Sequence, residues 1–203
     1  MPKKYFVSAI GTDSGKTLIS AIILEALKGE YWKPIQSGIE IRDTKTVRKL
    51  VSKECRFHNE TYLLQSPMSP HAAAKLDYVT INLDKIVPPK HNNDLVIEGA
   101  GGLMVPLNDT EFIIDLIKKI DCELILVSDI YLGSINHTLL SINELNRHDI
   151  PVKGIIFNGD ENKETTDYIL KYSGYKELLH VKREKHIDGF IVKKYAQLLA
   201  ENW

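Results

Sequence analysis

Seven consecutive residues, Gly11-Thr12-Asp13-Ser14-Gly15-Lys16-Thr17, join small and polar side chains to one lysine in an order suited to phosphate chemistry. They follow the apolar run Tyr5 to Ile10 and precede Leu18 to Leu27, where apolar residues recur three and four positions apart. A strand that passes through such a turn into a helix aims backbone N–H groups and the helix N-terminus at a phosphate. Asp13, Ser14, Gly15 and Leu18 fall within that cradle. Lys16 supplies a point charge to the outer phosphates, and the Thr17 hydroxyl suits a Mg2+ ion bound with them. The standard spacing asks for glycine where this chain has Ile10, so the entry to the loop departs from the common pattern.

Three further residues carry charge that such a site needs. Glu98 follows the branched run Asp94 to Ile97 and precedes Gly99-Ala100-Gly101-Gly102. The pattern puts its carboxylate at the C-terminal edge of a strand, within reach of the metal. The glycines after it allow the backbone close to phosphate or substrate. Asp43 stands before Thr44 to Leu50 and is read equally well as a metal ligand or as a helix N-cap. Lys33 lies in the run Tyr31 to Ile35; a lysine at the rim of a phosphate site stabilises charge on a transferring group, although on its own this residue reads more readily as an ordinary surface lysine.

The elements that must position these residues alternate along the chain. Short runs rich in branched residues at Tyr5 to Ile10, Tyr31 to Ile35, Asp94 to Ile97, Glu123 to Ser128 and Val152 to Phe157 predict buried parallel strands. Amphipathic spacing predicts helices over Leu18 to Leu27, Phe112 to Ile120, Ile135 to Leu145, Tyr168 to Tyr172 and Ile191 to Leu199. Ser69-Pro70 reads as the start of another helix, running to about Asp77. The tract from Glu40 to Pro89 is otherwise irregular. Strand and helix in alternation imply an α/β fold, a mostly parallel sheet with helices on both faces and ligands beyond the strand C-terminal ends.

Composition limits the possible partners. The 203 residues hold 26 basic and 27 acidic side chains, a formal charge of −1 that offers no general field for nucleic acid or an anionic membrane. The cluster Lys182, Arg183, Lys185, Lys193 and Lys194 reads as a solvated face. No run approaches the ~20 apolar residues of a membrane span, and the N-terminal apolar run is too short for a signal segment. Cys55 and Cys122 form no CxxC pair, and a cytoplasmic protein with one domain over residues 1–203 is expected.

The motifs in order, GxxGKT, KPIQSG, SPHAAA, VIEGAGGLMVPL and LGSINHTLL, resemble those of the dethiobiotin synthetase family over residues 3 to 158. The phosphate loop alone is common to many unrelated proteins, whereas the other segments together are specific. The resemblance implies a three-layer P-loop NTPase fold, usually a homodimer, that uses ATP, Mg2+ and CO2 to close a cyclic urea on 7,8-diaminononanoate. It implies that one amine takes up CO2 as a carbamate, that the carbamate receives the γ-phosphoryl group, and that the neighbouring amine displaces phosphate. By residue, it makes Lys33 the catalytic lysine, acting with Lys16 and Thr12. Thr12 and Ser37 match contacts to the diamine or its carbamate, and Thr17, Asp43 and Glu98 match metal ligands. Gly99, Ala100, Gly101 and Asn158 complete the nucleotide site, with Asn158 at the base. Gly133, Ser134, Ile135 and Asn136 match the segment that receives the substrate's carboxylate tail across the dimer interface. His71, in the SPH segment, is left outside the catalytic set.

Two stretches depart from the family pattern. Ala9, Ile10 and Gly11 stand where Gly-Thr-Asp is common, and the residues around 180 to 184 lack the usual Ile-Pro segment. Two other functions share the phosphate loop. A nucleotide-switch ATPase of the partitioning or metal-insertion kind typically carries an extra lysine at the loop start, where this chain has Ser8, Ala9 and Ile10. A degenerate family member would bind nucleotide without turnover.

Overall fold

The computed structural model describes residues 2–203; Met1, the first residue of the expected domain, lies outside them. Seven parallel strands form the central sheet in the order β4-β2-β6-β1-β7-β8-β9. They are β1 (Lys4–Ala9), β2 (Glu30–Trp32), β4 (Arg56–Phe57), β6 (Leu95–Gly102), β7 (Glu123–Asp129), β8 (Val152–Asn158) and β9 (Glu177–Val181). A second pair, β3 (Ile35–Ser37) with β5 (Tyr62–Leu64), runs parallel beside it. Helices α1 (Lys16–Leu27), α2 (Asp43–Leu50) and α7 (Gly189–Asn202) contribute to the core on one face. Helices α3 (Pro70–Leu76), α4 (Ile113–Ile120), α5 (Ser134–Arg147) and α6 (Lys163–Ser173) contribute to the other.

Both faces are buried, which is why the strands read as continuous apolar runs. Leu124, Ile125, Leu126 and Val127 of β7 are all fully buried, with alternate residues in opposite cores. Strand β1 sits at the centre, with β6 on one side and β7 on the other, and the chain order reverses there. Residues following β1 therefore emerge at the switch point, where open α/β sheets bind ligands. Helix starts are fixed locally. Asn162 accepts a hydrogen bond from the Thr165 N–H at 3.1 Å, and Asp188 accepts one from Ile191 at 2.9 Å.

The expected strand from Tyr31 to Ile35 is two strands. It breaks at Lys33-Pro34, because Pro34 has no N–H for a ladder and its carbonyl instead accepts from Thr61 and Tyr62 at 2.9 Å. The chain thus leaves the main sheet after β2 and begins the small one at β3. Strand β9 was not legible from composition: it is a five-residue edge strand interrupted by His180. The irregular tract holds β4, β5, α2, α3 and a 3₁₀ turn at Leu83–Lys85. The basic cluster is exposed, and several of its members face carboxylates, as Lys182 does Glu161 at 3.4 Å and Lys194 does Glu184 at 3.1 Å. No helix among the described residues is long and apolar enough to cross a membrane.

Both cysteines are free and buried. Burial pushes the Cys122 thiol up to about 12 and raises that of Cys55. Thiolate, not thiol, is the nucleophile. Iodoacetamide at pH 8 is therefore expected to leave both unlabelled in the native protein and to label both in concentrated urea, read by intact mass. Rapid native labelling at Cys122 would contradict this packing.

Candidate active site

The loop after β1 is held closed from three directions. The Ile10 N–H donates to Val127 O at 3.1 Å, which extends the pairing with β7 past the end of β1. Gly102 of β6 comes so close that a Cβ there would stand 3.2 Å from Ala9 O. The unusual Ala9-Ile10-Gly11 entry is thus clamped by both neighbouring strands. Asn158, at the end of β8, donates through Nδ2 to Ser14 O at 3.1 Å. Asp13 (φ 57°) and Gly15 (φ 88°) take left-handed conformations that turn the chain into α1. At Gly15 a Cβ would lie 2.3 Å from Asn158 Nδ2, so any side chain would displace the Asn158 amide from Ser14 O and strain the left-handed backbone.

Lys16 lies over this loop, its Nζ donating to Gly11 O at 2.9 Å. Its pKa is lowered to about 8, chiefly by burial and also by Lys33, against the opposing effect of Glu98, Asp43 and Asp13. A bound phosphate would favour the charged form. The loop therefore holds a desolvated cation at the place where an anion would bind.

Beside it lies a buried charge cluster. Lys33, only 3% exposed, reaches Asp43 Oδ2 at 2.8 Å, Glu98 Oε1 at 3.1 Å and Gly99 O at 3.1 Å. Burial disfavours its charge, but Glu98 and Asp43 outweigh that effect, and its pKa ends above the ordinary lysine value. Asp43 Oδ1 and Glu98 Oε1 both lie 3.0 Å from the Thr17 hydroxyl oxygen. One hydroxyl has one proton, so only one of those contacts can be a hydrogen bond donated by Thr17. Two carboxylate oxygens converging on a hydroxyl oxygen form a hard-oxygen set that fits Mg2+, which commonly takes one or two carboxylates and completes its shell with water and phosphate. Among the described residues no group of three or more His, Cys, Asp or Glu side chains could hold a metal ion.

The structure brings most of the sequence-derived residues to one cavity of about 900 Å³. Thr12, Asp13, Gly15, Lys16, Thr17 and Leu18 line its loop side. Lys33, Ser37, Asp43, Glu98, Ala100 and Gly101 line the rest. Ser14 and Asn158 brace the loop from behind, and Gly99 supplies a carbonyl to Lys33. Asp43 is the first residue of α2, with Arg42 at the cap, so its carboxylate is turned to the cluster rather than spent on capping. Its backbone N–H is fixed by Gln36 Oε1 at 3.0 Å. Glu98 lies inside β6, which runs on to Gly102, rather than at its end. Gly133, Ser134, Ile135 and Asn136 start α5 and do not line this cavity. Their helix instead borders a second cavity of about 300 Å³ through His137, Leu140 and Glu144. Gln36 and Tyr31 were missed by the sequence reading. Tyr31 carries a signal in hindsight, because it stands two positions before Lys33 and so on the same face of the strand.

The chain matches a family model described as an AAA domain over residues 3–189. An ATP-dependent dethiobiotin synthetase of Cytophaga hutchinsonii is 54% identical over 203 residues, covering 99% of this chain and 98% of that protein. The chain belongs to the AAA-domain family and, within it, to the ATP-dependent dethiobiotin synthetases. A synthetase of the same name from Christiangramia forsetii is 52% identical over 97% of this chain and 96% of its own length. Even the Chlamydia felis synthetase keeps 36% identity over 97% and 94% respectively. Solved structures share the fold at much lower identity. A ParA family ATPase from Chlorobium tepidum aligns with TM-score 0.56 and 15% identity over 99% of this chain and 96% of that one. The Aquifex aeolicus MinC:MinD complex supplies a second match, TM-score 0.57 at 12% identity, over 98% and 93%. These establish a shared fold and nothing finer.

The braced loop makes a direct prediction. Gly15→Ala forces a Cβ against Asn158 and an alanine into left-handed backbone, a strain of about 1–2 kcal/mol. ATP affinity measured by titration calorimetry is expected to fall at least tenfold with the fold retained. Unchanged affinity would contradict a phosphate-binding role for this turn.

Proposed function

We propose that this synthetase forms dethiobiotin from 7,8-diaminononanoate, CO2 and ATP, as a Mg2+-dependent cytoplasmic homodimer. The observation that carries the reading is the buried cluster in which Lys33, Asp43, Glu98 and Thr17 meet beside the phosphate loop. Thr17, Asp43 and Glu98 would hold Mg2+. When bound, the ion neutralises phosphate charge and orients the phosphates for in-line transfer.

The chain's own groups divide the remaining work. Backbone N–H groups from Gly15 onward and Lys16 bind the phosphates. Lys33 is a cation already desolvated within the cluster, suited to stabilise negative charge that grows as the γ-phosphoryl group passes to the carbamate. The carbamate oxygen forms the new bond to phosphorus, ADP leaves, and the second amine then attacks the carbonyl carbon and expels phosphate. Ser37 lines the cavity that Lys33 also lines, and its Oγ, shielded in the free protein, has no hydrogen-bond partner among the described residues. A substrate amine or carbamate would satisfy it, with the Thr12 hydroxyl as its counterpart on the loop. Confinement of both reacting groups between loop and cluster supplies the proximity that this chemistry chiefly needs.

Support for the dimer comes from the apolar surface around α5. Leu132 is fully exposed, Leu140 is 60% exposed and Met104 is 48% exposed. In a homodimer that surface is covered, and the α5 N-terminus with Gly133, Ser134, Ile135 and Asn136 would face the partner's substrate. The cytoplasmic assignment fits two free, buried cysteines.

The purified protein, incubated with ATP, Mg2+, labelled bicarbonate and 7,8-diaminononanoate, is expected to give labelled dethiobiotin by mass spectrometry only when all four are present. Nucleotide binding without product would instead favour a switch ATPase or a degenerate binder. Lys16→Ala is expected to abolish turnover with the fold intact. Lys33→Gln should lower kcat about 100-fold while ATP affinity changes less than threefold, because its contact strengthens in the transition state. Equal losses in both would reduce Lys33 to a binding residue.

A further inference from the structure

Glu98 is 1% exposed, and each of its carboxylate oxygens has a different partner set. Oε1 faces Thr17 and Lys33. Oε2 accepts a hydrogen bond from the Tyr31 hydroxyl at 2.8 Å. The strand register explains how that contact arises. Tyr31 of β2 pairs with Val96 of β6, and Glu98 lies two residues beyond Val96 on the same face of the sheet. The Tyr31 side chain is completely buried and spans that diagonal. Its ring packs against Phe57 of the neighbouring β4, with centroids 5.6 Å apart.

We infer that Tyr31 is a positioning residue for the metal: its hydroxyl holds Glu98 Oε2 and so fixes Oε1 toward Thr17 and Asp43. The inference rests on the reading of Thr17, Asp43 and Glu98 as the Mg2+ ligands. Its logic is a division of labour between two donors. Lys33 carries its charge on a flexible four-carbon stem, and phosphate or carbamate charge in the cavity would compete with Glu98 for it. Tyr31 is neutral, rigid and buried behind the cluster, so arriving anions do not draw it away. When Lys33 turns to the substrate, Glu98 loses one restraint and keeps the other. Outer-shell partners of ligating carboxylates act in this way, and their removal typically costs 10–100-fold in metal affinity or activity.

The test is binding of Mn2+ to the full-length protein with ADP, followed by the loss of the free-ion electron paramagnetic resonance signal. Tyr31→Phe keeps the ring and its packing and removes only the hydroxyl. It is expected to weaken Mn2+ binding at least tenfold, while ADP binding in the presence of EDTA stays within twofold of wild type. In the synthase assay its Mg2+ requirement should rise and its KM for the diamine should not. Phe57→Leu loosens the same ring but retains the hydroxyl, and it should lower the melting temperature while holding Mn2+ affinity within twofold. Unchanged Mn2+ affinity in Tyr31→Phe, or an equal loss in Phe57→Leu, would overturn the role of the hydroxyl. Failure of the wild-type protein itself to bind Mn2+ with ADP would overturn the metal-site reading beneath it.

Discussion

Two carboxylates and one ammonium group meet at the wall of the cavity, where Lys33 and Glu98 are almost fully buried and Asp43 is partly so, and the buried charges are not tolerable there without each other. Isolated buried ions cost several kcal/mol each, and removing one partner of such a pair typically costs about 3–5 kcal/mol. Lys33 is therefore obliged to sit between Asp43 and Glu98 in the free protein. That obligation pulls together three separate parts of the chain, the exit of β2, the first turn of α2 and the middle of β6. Thr17 brings in a fourth, the start of α1. The phosphate loop, by contrast, depends on backbone geometry and on Asn158, not on charge pairing.

Such a cluster is poised rather than inert. A divalent cation placed among the carboxylates would take over the neutralising role of Lys33, and the freed ammonium group would find its next anion in the phosphates or the carbamate. The same electrostatic requirement would then serve folding in the free protein and catalysis in the loaded one. Lys33 follows β2 directly, two positions after Tyr31, and both side chains meet Glu98.

Much of this was legible in the sequence. The phosphate loop is a contiguous motif, and its residues carry their roles through local geometry, so Gly15, Lys16 and Thr17 lie where the sequence places them. Glu98 was found because it ends a branched apolar run that reads as a strand, whereas Lys33, inside such a run, stood out only through the family motif KPIQSG. Asp43 stood undecided between cap and ligand from local sequence alone, since either role suits an aspartate before a helix; only the three-dimensional approach of α2 to α1 separates them. The break after β2 and edge strand β9 were hidden because a proline in a short run and a five-residue edge strand leave weak periodic signals. Tyr31 was hidden for a different reason. Its partner is 67 residues away, and only the β2–β6 register brings them together. Family membership added what residue types do not carry, the synthesis of dethiobiotin.

The claim that Lys33 and a divalent cation answer the same electrostatic need is tested most directly by urea unfolding of Lys33→Met with and without Mg2+. Without Mg2+ the variant is expected to lose about 3–5 kcal/mol, because Asp43 and Glu98 then face each other with no cation between them. Millimolar Mg2+ should restore a large part of that loss and leave wild-type stability almost unchanged. A variant as stable as wild type, or a loss that Mg2+ does not touch, would contradict the account.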